Sequence, residues 1–384
     1  MSWKVDLLAT TAPDDPTSGL SRTVYSLGES LSERGHTVRI LYPSNSAPPP
    51  QGSSRVKFVP VPDAGASRRP FGRDIVIGRR ASELLDPHAD LFVGNDEKAG
   101  ALTMPAKNGT KRPVFAMFVH DVSLHTFDTL RPLEPNRGLR QKLGNYLDRR
   151  ALFKLEGTAI REAGVIVVGS ELNRALLERY YHPDPSKVKL VPHGVPDPIP
   201  VGTREEARQA LHVPLDVQVV SFIGRNPERQ GLPVALQAFR RVRAFFPGAR
   251  FLVVGSSVAA EPGVMSLGVV DERTKARVLT ASDVFLFPAR YEGFGLAPRE
   301  AMRYGVATLV SRHVPMEGAG AKGAVRVCPG DDPGDYASEL AELLAQPALR
   351  REIGESGRAY ADSFSYARMA ERVETALAPI LSSR

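Results

Sequence analysis

The densest run of chemistry-bearing residues is Tyr291-Glu292-Gly293-Phe294-Gly295-Leu296-Ala297-Pro298-Arg299-Glu300. Two carboxylates flank a glycine loop, with a proline suited to a first helical turn between them. Each carboxylate offers two acceptor oxygens, which suits ligand hydroxyls and vicinal diols. Gly293 and Gly295 let the backbone approach a ligand, and a helix opening there presents free N–H groups to an anion. A second run, Phe222-Ile223-Gly224-Arg225-Asn226-Pro227-Glu228-Arg229-Gln230-Gly231, places two guanidinium groups in a glycine loop, a pattern suited to a phosphate. Weaker candidates are Pro16-Thr17-Ser18-Gly19, where Gly19 could bring N–H groups to a phosphate, and the histidines His120 and His193. On spacing alone, each has a plainer reading as well. The first can be a strand–loop–helix junction with a capping Glu, the second a solvated charged loop, and the histidines structural.

The elements that must position these residues follow from apolar periodicity. Residues 5–9 read as a short buried strand. A polar loop follows, then a helical pattern of Leu20, Val24, Leu27 and Leu31, ended by Gly35 and followed by a strand over 38–42. This is a βαβ unit. Further short apolar strands are expected over 89–93, 114–119 and 165–168, with a long basic amphipathic helix over 139–162. Pro192, Pro196, Pro198 and Pro200 interrupt regular structure and mark a linker over 191–202. The rhythm then restarts, with strands over 217–223, 250–254, 284–288 and 308–311. Helices are expected over 232–246, 298–303, 340–345, 348–360 and 366–381. Short apolar strands alternating with helices predict parallel sheets covered on both faces, hence an α/β protein of two Rossmann-like domains. Ligands of such folds bind outside the carboxyl ends of the strands, here in the cleft expected between the domains.

The 384 residues, 42% hydrophobic and 24% charged, match ordinary globular domains and exclude a disordered, collagen-like or coiled-coil chain. The net charge is +7, with no basic run interleaved with aromatics, so a nucleic-acid partner is not expected. Cys328 alone excludes an intrachain disulfide and a cysteine zinc site, and the eight His show no metal-ligand spacing. The expectation is metal-independent chemistry without a cofactor. With no apolar leader or membrane-length run, the expected location is cytoplasmic. Gly318-Ala319-Gly320-Ala321-Lys322-Gly323 matches a dinucleotide fingerprint, but a strand over 324–328 follows it instead of a helix, so that reading is rejected. Through Pro200 the chain carries 27 Lys+Arg against 22 Asp+Glu, and 23 against 21 after it. Arg137, Arg140, Lys142, Arg149, Arg150 and Lys154 cluster on one helical stretch, at and just before the 139–162 helix. Such a face is either solvated or suited to peripheral contact with an anionic membrane surface, which would fit a lipid-linked acceptor.

Glu292-Gly-Phe-Gly-Leu with Glu300-Ala-Met resembles the E-x7-E signature of the family 4 retaining glycosyltransferases, which have the GT-B fold. The resemblance covers nearly the whole chain. Ser18-Gly19 with 24–27 and 34–38 resembles the opening loop and helix, and His120-Asp121 the histidine of the N-domain. Residues 168–171 and 191–195 resemble the approach to the linker, Gly224-Arg225 the start of the phosphate loop, and 329–331 a late turn. The resemblance implies an acceptor-binding domain over 1–198 and a nucleotide-sugar-binding domain over 199–365. It also implies a helix over 366–384 that crosses back onto the first. The implied function is retaining transfer of a sugar from a nucleotide-diphosphate sugar to a glycan, lipid-linked or small-molecule acceptor.

The resemblance also implies residue roles. Arg225 contacts the donor diphosphate with backbone help from Gly19. Glu292 and the amides of Gly293, Phe294, Gly295 and Leu296 hold sugar and phosphates, Glu300 the ribose, and His120 the donor sugar or the acceptor region. Ser18, Gly224, Arg229 and Gln230 complete the donor site. Three positions depart from the pattern: Gln230 replaces the usual Lys, Ser18 a glycine, and His193 the Asn before Gly194. The Gln230 departure motivates a second expectation, a GT-B binding or scaffold protein with reduced catalysis. A sugar-nucleotide epimerase is a third.

Overall fold

The structure is a computed structural model and describes residues 2–9, 19–43, 56–62, 72–95, 113–131 and 139–383. It divides into two compact units, Met1–Gly194 with Tyr366–Arg384, and Val195–Ser365.

The first unit is built on β1 (Lys4–Leu8), α1 (Gly19–Glu33), β2 (Thr37–Pro43), β3 (Val56–Val61), α2 (Gly72–Leu84), β4 (Leu91–Gly94), β5 (Val114–Val119), α3 (Ser123–Leu130), α4 (Leu139–Glu162), β6 (Val165–Val168), α5 (Glu171–Tyr181) and β7 (Val188–Leu190). Among the described residues its strands form a seven-stranded sheet, β3-β2-β1-β4-β5-β6-β7. The six strand pairings are all parallel.

The second unit contains α6 (Arg204–Ala210), β8 (Val219–Ile223), α7 (Pro227–Gln230), α8 (Leu232–Val242), β9 (Arg250–Val254), β10 (Val264–Gly268), α9 (Glu272–Ala281), β11 (Val284–Phe287), α10 (Leu296–Arg303), β12 (Ala307–Val310), β13 (Arg326–Val327), α11 (Pro333–Ala345) and α12 (Pro347–Ala361). Its six-stranded sheet has the order β10-β9-β8-β11-β12-β13, again wholly parallel. The chain then returns to the first unit as α13 (Tyr366–Ser382). Met369, Ala370, Val373 and Leu377 recur at helical spacing and are buried with Val24, Leu27 and Leu31 of α1. The architecture is α/β with two Rossmann-like units, as the apolar rhythm predicts.

The central strands are mostly apolar because helices cover both faces of a parallel sheet. β5, β6, β11 and β12 are buried at every position. The division between the units falls after Gly194, four residues before the expected boundary, because the proline-rich segment packs on the second unit. Val195 is buried there with Phe294 and Phe364, and the Ile199 N–H donates to the Tyr304 hydroxyl at 2.8 Å. Residues 318–323 lead into a short 3-10 turn, Ala319–Ala321, and then β13. No helix opens there, in agreement with the rejection of a dinucleotide fingerprint.

Candidate active site

In the second sheet, strand order reverses between β8 and β11, the point at which ligands of such sheets bind beyond the carboxyl ends of the strands. The two arginine- and glutamate-bearing runs are those loops. Asp283 anchors the pair of strands at the opposite end. It accepts from Arg204 at 2.5 Å, from Arg208 at 2.9 Å and from the Val219 N–H at 2.8 Å. A carboxylate with three such donors ties the start of β11 to the start of β8.

The β8 loop is folded back on itself. The Asn226 side chain accepts from the Arg229 N–H at 3.2 Å and caps α7. The Gln230 side-chain carbonyl accepts from the Asn226 N–H at 2.9 Å. Gln230 therefore pins the loop's own backbone. The Gly224 carbonyl accepts from the Ser256 hydroxyl at 2.6 Å, so the segment just after β9 also contributes to holding the loop. Gly231 has φ +79°, and a Cβ there would lie 1.8 Å from the Pro288 carbonyl oxygen. Only glycine allows the two loops to meet. Where they meet, the Arg290 N–H donates to the Arg229 carbonyl at 2.8 Å. The Arg229 guanidinium stands 3.6 Å from the Glu292 carboxylate. The arginine adjacent to the family's lysine position is thus paired with the first glutamate of the E-x7-E run, while Arg225 is exposed at the end of β8.

The β11 loop turns into α10 through Gly295, at φ +82°. Arg299, 2% exposed, lies beneath this turn. It donates to the Phe294 and Gly295 carbonyls, to the Pro315 carbonyl at 2.7 Å and to the Tyr360 hydroxyl at 3.2 Å. Its guanidinium carbon lies 4.0 Å from the Phe294 ring centroid and 5.0 Å from that of Phe364. Burial pushes its pKa below the ordinary arginine value, and the Tyr360 hydroxyl acts in the opposite sense. These contacts fix the backbone of 293–296. Glu300, buried one turn into α10, is met by Lys275 of α9 at 2.6 Å, and Lys275 also reaches Glu272 at 2.8 Å. The second glutamate is therefore held in place by a cation 25 positions earlier in the chain.

The first unit gathers a different set at the carboxyl ends of its strands. His120 follows β5, Asn95 follows β4 and His193 comes three residues after β7. His120 Nδ1 lies 3.3 Å from His193 Nε2, and His120 Nε2 lies 3.4 Å from Asn95 Oδ1. The Asn173 amide donates to the His120 carbonyl at 2.9 Å. Buried Glu156 of α4 accepts from the Ser123 and Leu124 N–H groups at 2.8 and 3.1 Å, capping α3 and fixing the turn that carries His120. Gly19 opens α1, and Ser18 lies outside the described residues.

The structure thus brings Gly224, Arg225, Arg229, Gln230 and the 292–300 run together in one unit, and places His120 and Gly19 in the other. Sequence reasoning missed Arg299, Lys275, Ser256 and Asn95. Arg299 stood inside the quoted motif without a role. Only the Glu300–Lys275 contact in space gives Lys275 one. Among the described residues no group of three or more His, Cys, Asp or Glu is placed to hold a metal ion. No helix among them is long and apolar enough to cross a membrane.

Two family models match the chain, "Glycosyltransferase Family 4" over residues 17–197 and "Glycosyl transferases group 1" over residues 203–360. D-inositol 3-phosphate glycosyltransferase of Segniliparus rotundus is 32% identical over 230 residues, 55% of this chain and 51% of that protein. The match thus spans about half the length of that relative, and 62% of each of two further inositol-phosphate glycosyltransferases. Phosphatidyl-myo-inositol mannosyltransferase of Mycolicibacterium smegmatis is 26% identical over 361 residues, 88% of this chain and 83% of that protein. Among solved structures, sucrose-phosphate synthase of Thermosynechococcus elongatus superposes with a TM-score of 0.78 over 100% of both chains at 18% identity, which identifies the fold.

Proposed function

Because the chain belongs to the group 1 glycosyltransferases of GT-B fold, we propose that it transfers a sugar from a nucleotide-diphosphate sugar to an acceptor hydroxyl, with retention of anomeric configuration. The observation that carries the reading is the meeting of the two loops at the β8–β11 switch point, where Arg225, Arg229, Glu292 and Glu300 are gathered around backbone N–H groups. The donor belongs to this unit. Arg225, the 293–296 amides and Arg229 face the diphosphate, Glu292 the sugar and Glu300 the ribose diol. The acceptor belongs to the unit that carries His120. The relatives named above act on inositol phosphate or phosphatidylinositol, so an inositol-type acceptor, free or lipid-linked, is the class to test first.

In the reaction the bond from the anomeric carbon to the phosphate oxygen breaks, and its electrons leave with the diphosphate. The acceptor oxygen bonds to the same face and its proton passes to the departing phosphate. The protein's main contribution is to stabilise the charge that develops on the leaving group, through groups fixed before reaction. We assign that role to arginine and N–H groups without a metal.

A thermal-shift panel of UDP, GDP, ADP, TDP and CMP, followed by turnover with the matching sugars, tests the proposal. One nucleoside diphosphate should stabilise the protein, Glu300→Ala should weaken that effect, and turnover should survive EDTA. The NMR coupling constant of the product should report the donor's anomeric configuration. Nucleotide binding without turnover on any acceptor would instead favour a binding protein with reduced catalysis, the reading that Gln230 invites.

A further inference from the structure

α4 has two faces of opposite character. On the inner face Leu152 and Ala159 are buried beside Glu156, which caps α3. On the outer face Leu143 is 59% exposed, Tyr146 54%, Leu147 56% and Phe153 47%. They are four of the nine large apolar side chains that stand exposed among the described residues, and all four fall within eleven positions of one helix. Lys142, Arg150 and Lys154 are exposed on the same helix. At 3.6 residues per turn these seven positions fall within an arc of about 140°, and the helix's acidic residues Asp148, Glu156 and Glu162 fall outside it. Asp148 instead lies 3.8 Å from Arg131. Arg149, at the border of the arc, donates to both Asp128 oxygens at 2.7 and 2.8 Å.

Within the arc the basic and apolar groups interleave. The Arg150 guanidinium lies 5.7 Å from the Tyr146 ring centroid and donates to its hydroxyl at 3.2 Å. Phe153 stacks on Tyr181 at 5.3 Å between centroids. Exposed apolar groups interleaved with cations, with no carboxylate among them, are poorly matched to water alone.

We propose that this face of α4 docks on an anionic lipid surface, with the leucines and aromatics entering the acyl boundary and the three cations at headgroup level. An exposed face that mixes apolar and basic groups is held at such an interface by buried apolar area plus attraction to acidic lipids. The charge pattern selects this occupant over a second copy of the chain. A two-fold contact would set Lys142, Arg150 and Lys154 against their own counterparts with no acid between them. The inference goes beyond sugar transfer and does not depend on it, since lipid binding is measured without donor or acceptor.

The test is co-sedimentation of the full chain with phosphatidylcholine vesicles and with mixed phosphatidylcholine–phosphatidylglycerol vesicles, at low and high salt. Binding is expected to the mixed vesicles only and should fall at high salt. Combined Lys142→Gln, Arg150→Gln and Lys154→Gln should lower the partition coefficient about 100-fold, at about fivefold per cation. Separately, Leu143→Ser with Leu147→Ser should lower it at least about tenfold. The melting temperature and far-ultraviolet circular dichroism should match the parent in both variants, which shows that they fold. Equal binding to neutral and anionic vesicles, no binding at low salt, or undiminished binding by the variants would overturn the proposal. A concentration-dependent dimer dispersed by the leucine pair would overturn it as well, in favour of self-association.

Discussion

The two units share a parallel Rossmann-like plan yet carry opposite chemistry at the carboxyl ends of their strands. In the second unit the strand-end loops and the helices that follow them carry full charges, Arg225, the Arg229–Glu292 pair and Glu300 with Lys275. In the first, the described strand ends gather imidazoles and amides, His120, His193, Asn95 and Asn173. The fold fixes where a ligand sits, and the residues just beyond each strand decide which ligand. A charged edge suits a diphosphate, and an edge rich in imidazole and amide groups suits hydroxyls. The units also differ in how the site is held. Arg299, a buried guanidinium, holds the second unit's loop from beneath, whereas a carboxylate, Glu156, caps the helix that follows His120 in the first.

The sharpest way to break this contrast is to remove one group from each side. Arg225→Ala should lower turnover by roughly 10²–10³, the cost of losing one donor to a developing anion, and should weaken nucleotide binding. His120→Ala should lower turnover while leaving the nucleotide-induced thermal shift intact. Steady-state kinetics and thermal shift on both variants decide it. If His120→Ala weakens nucleotide binding as much as Arg225→Ala does, the division of labour fails.

The next effect concerns stability. Arg299→Met keeps length and apolar bulk but leaves the buried carbonyls of Phe294 and Pro315 without their guanidinium donor, while the Gly295 carbonyl keeps the backbone N–H of residue 299 at 3.3 Å. Unsatisfied buried acceptors of this kind cost about 2–4 kcal/mol together, or about 5–15 °C in the melting temperature of a unit this size. Arg299→Lys keeps the charge but not the planar fork, and should recover only part of the loss. A melting temperature within a degree of the parent for Arg299→Met would show that the loop is held by other contacts.

What the sequence makes legible follows the same physics. The central strands and the two loops of the second unit stand out because full burial enforces unbroken apolar runs, and because glycine and arginine punctuate the loops. The strands that sequence reading misses, β3, β7 and β10, are all sheet edges. Their residues are mixed in exposure, and β3 carries Pro60, so no apolar run announces them. Site residues divide likewise. Glu292 and Glu300 share one local motif and are found together. Lys275 reaches Glu300 only because α9 packs in the same unit, and Asn95 meets His120 only because β4 and β5 are neighbours. Gln230, read as a departure from the family's lysine, turns out to hold its own loop.

The smallest expected effect tests how α13 is tied to the first unit. Glu374 on α13 accepts from Arg34 at 2.5 Å, and its other oxygen lies 2.7 Å from His36, whose Nδ1 accepts from the Trp3 N–H at 3.0 Å. The hydrogen bond from Arg34, then that from His36, lowers the Glu374 pKa below its ordinary 4.5. A carboxylate depressed in the folded state adds stability above its unfolded pKa and loses it as the pH falls through the lower, folded value. Glu374→Gln should therefore melt below the parent at pH 7, by about 1–2 °C for a partly solvated pair, and the difference should shrink as the pH drops below 4.5. Hydrogen exchange along Tyr366–Ser382 should rise in the variant at pH 7 and match the parent in acid. A difference that grows toward low pH would reverse the sign and remove Glu374 as the acid-sensitive tie between α13 and α1.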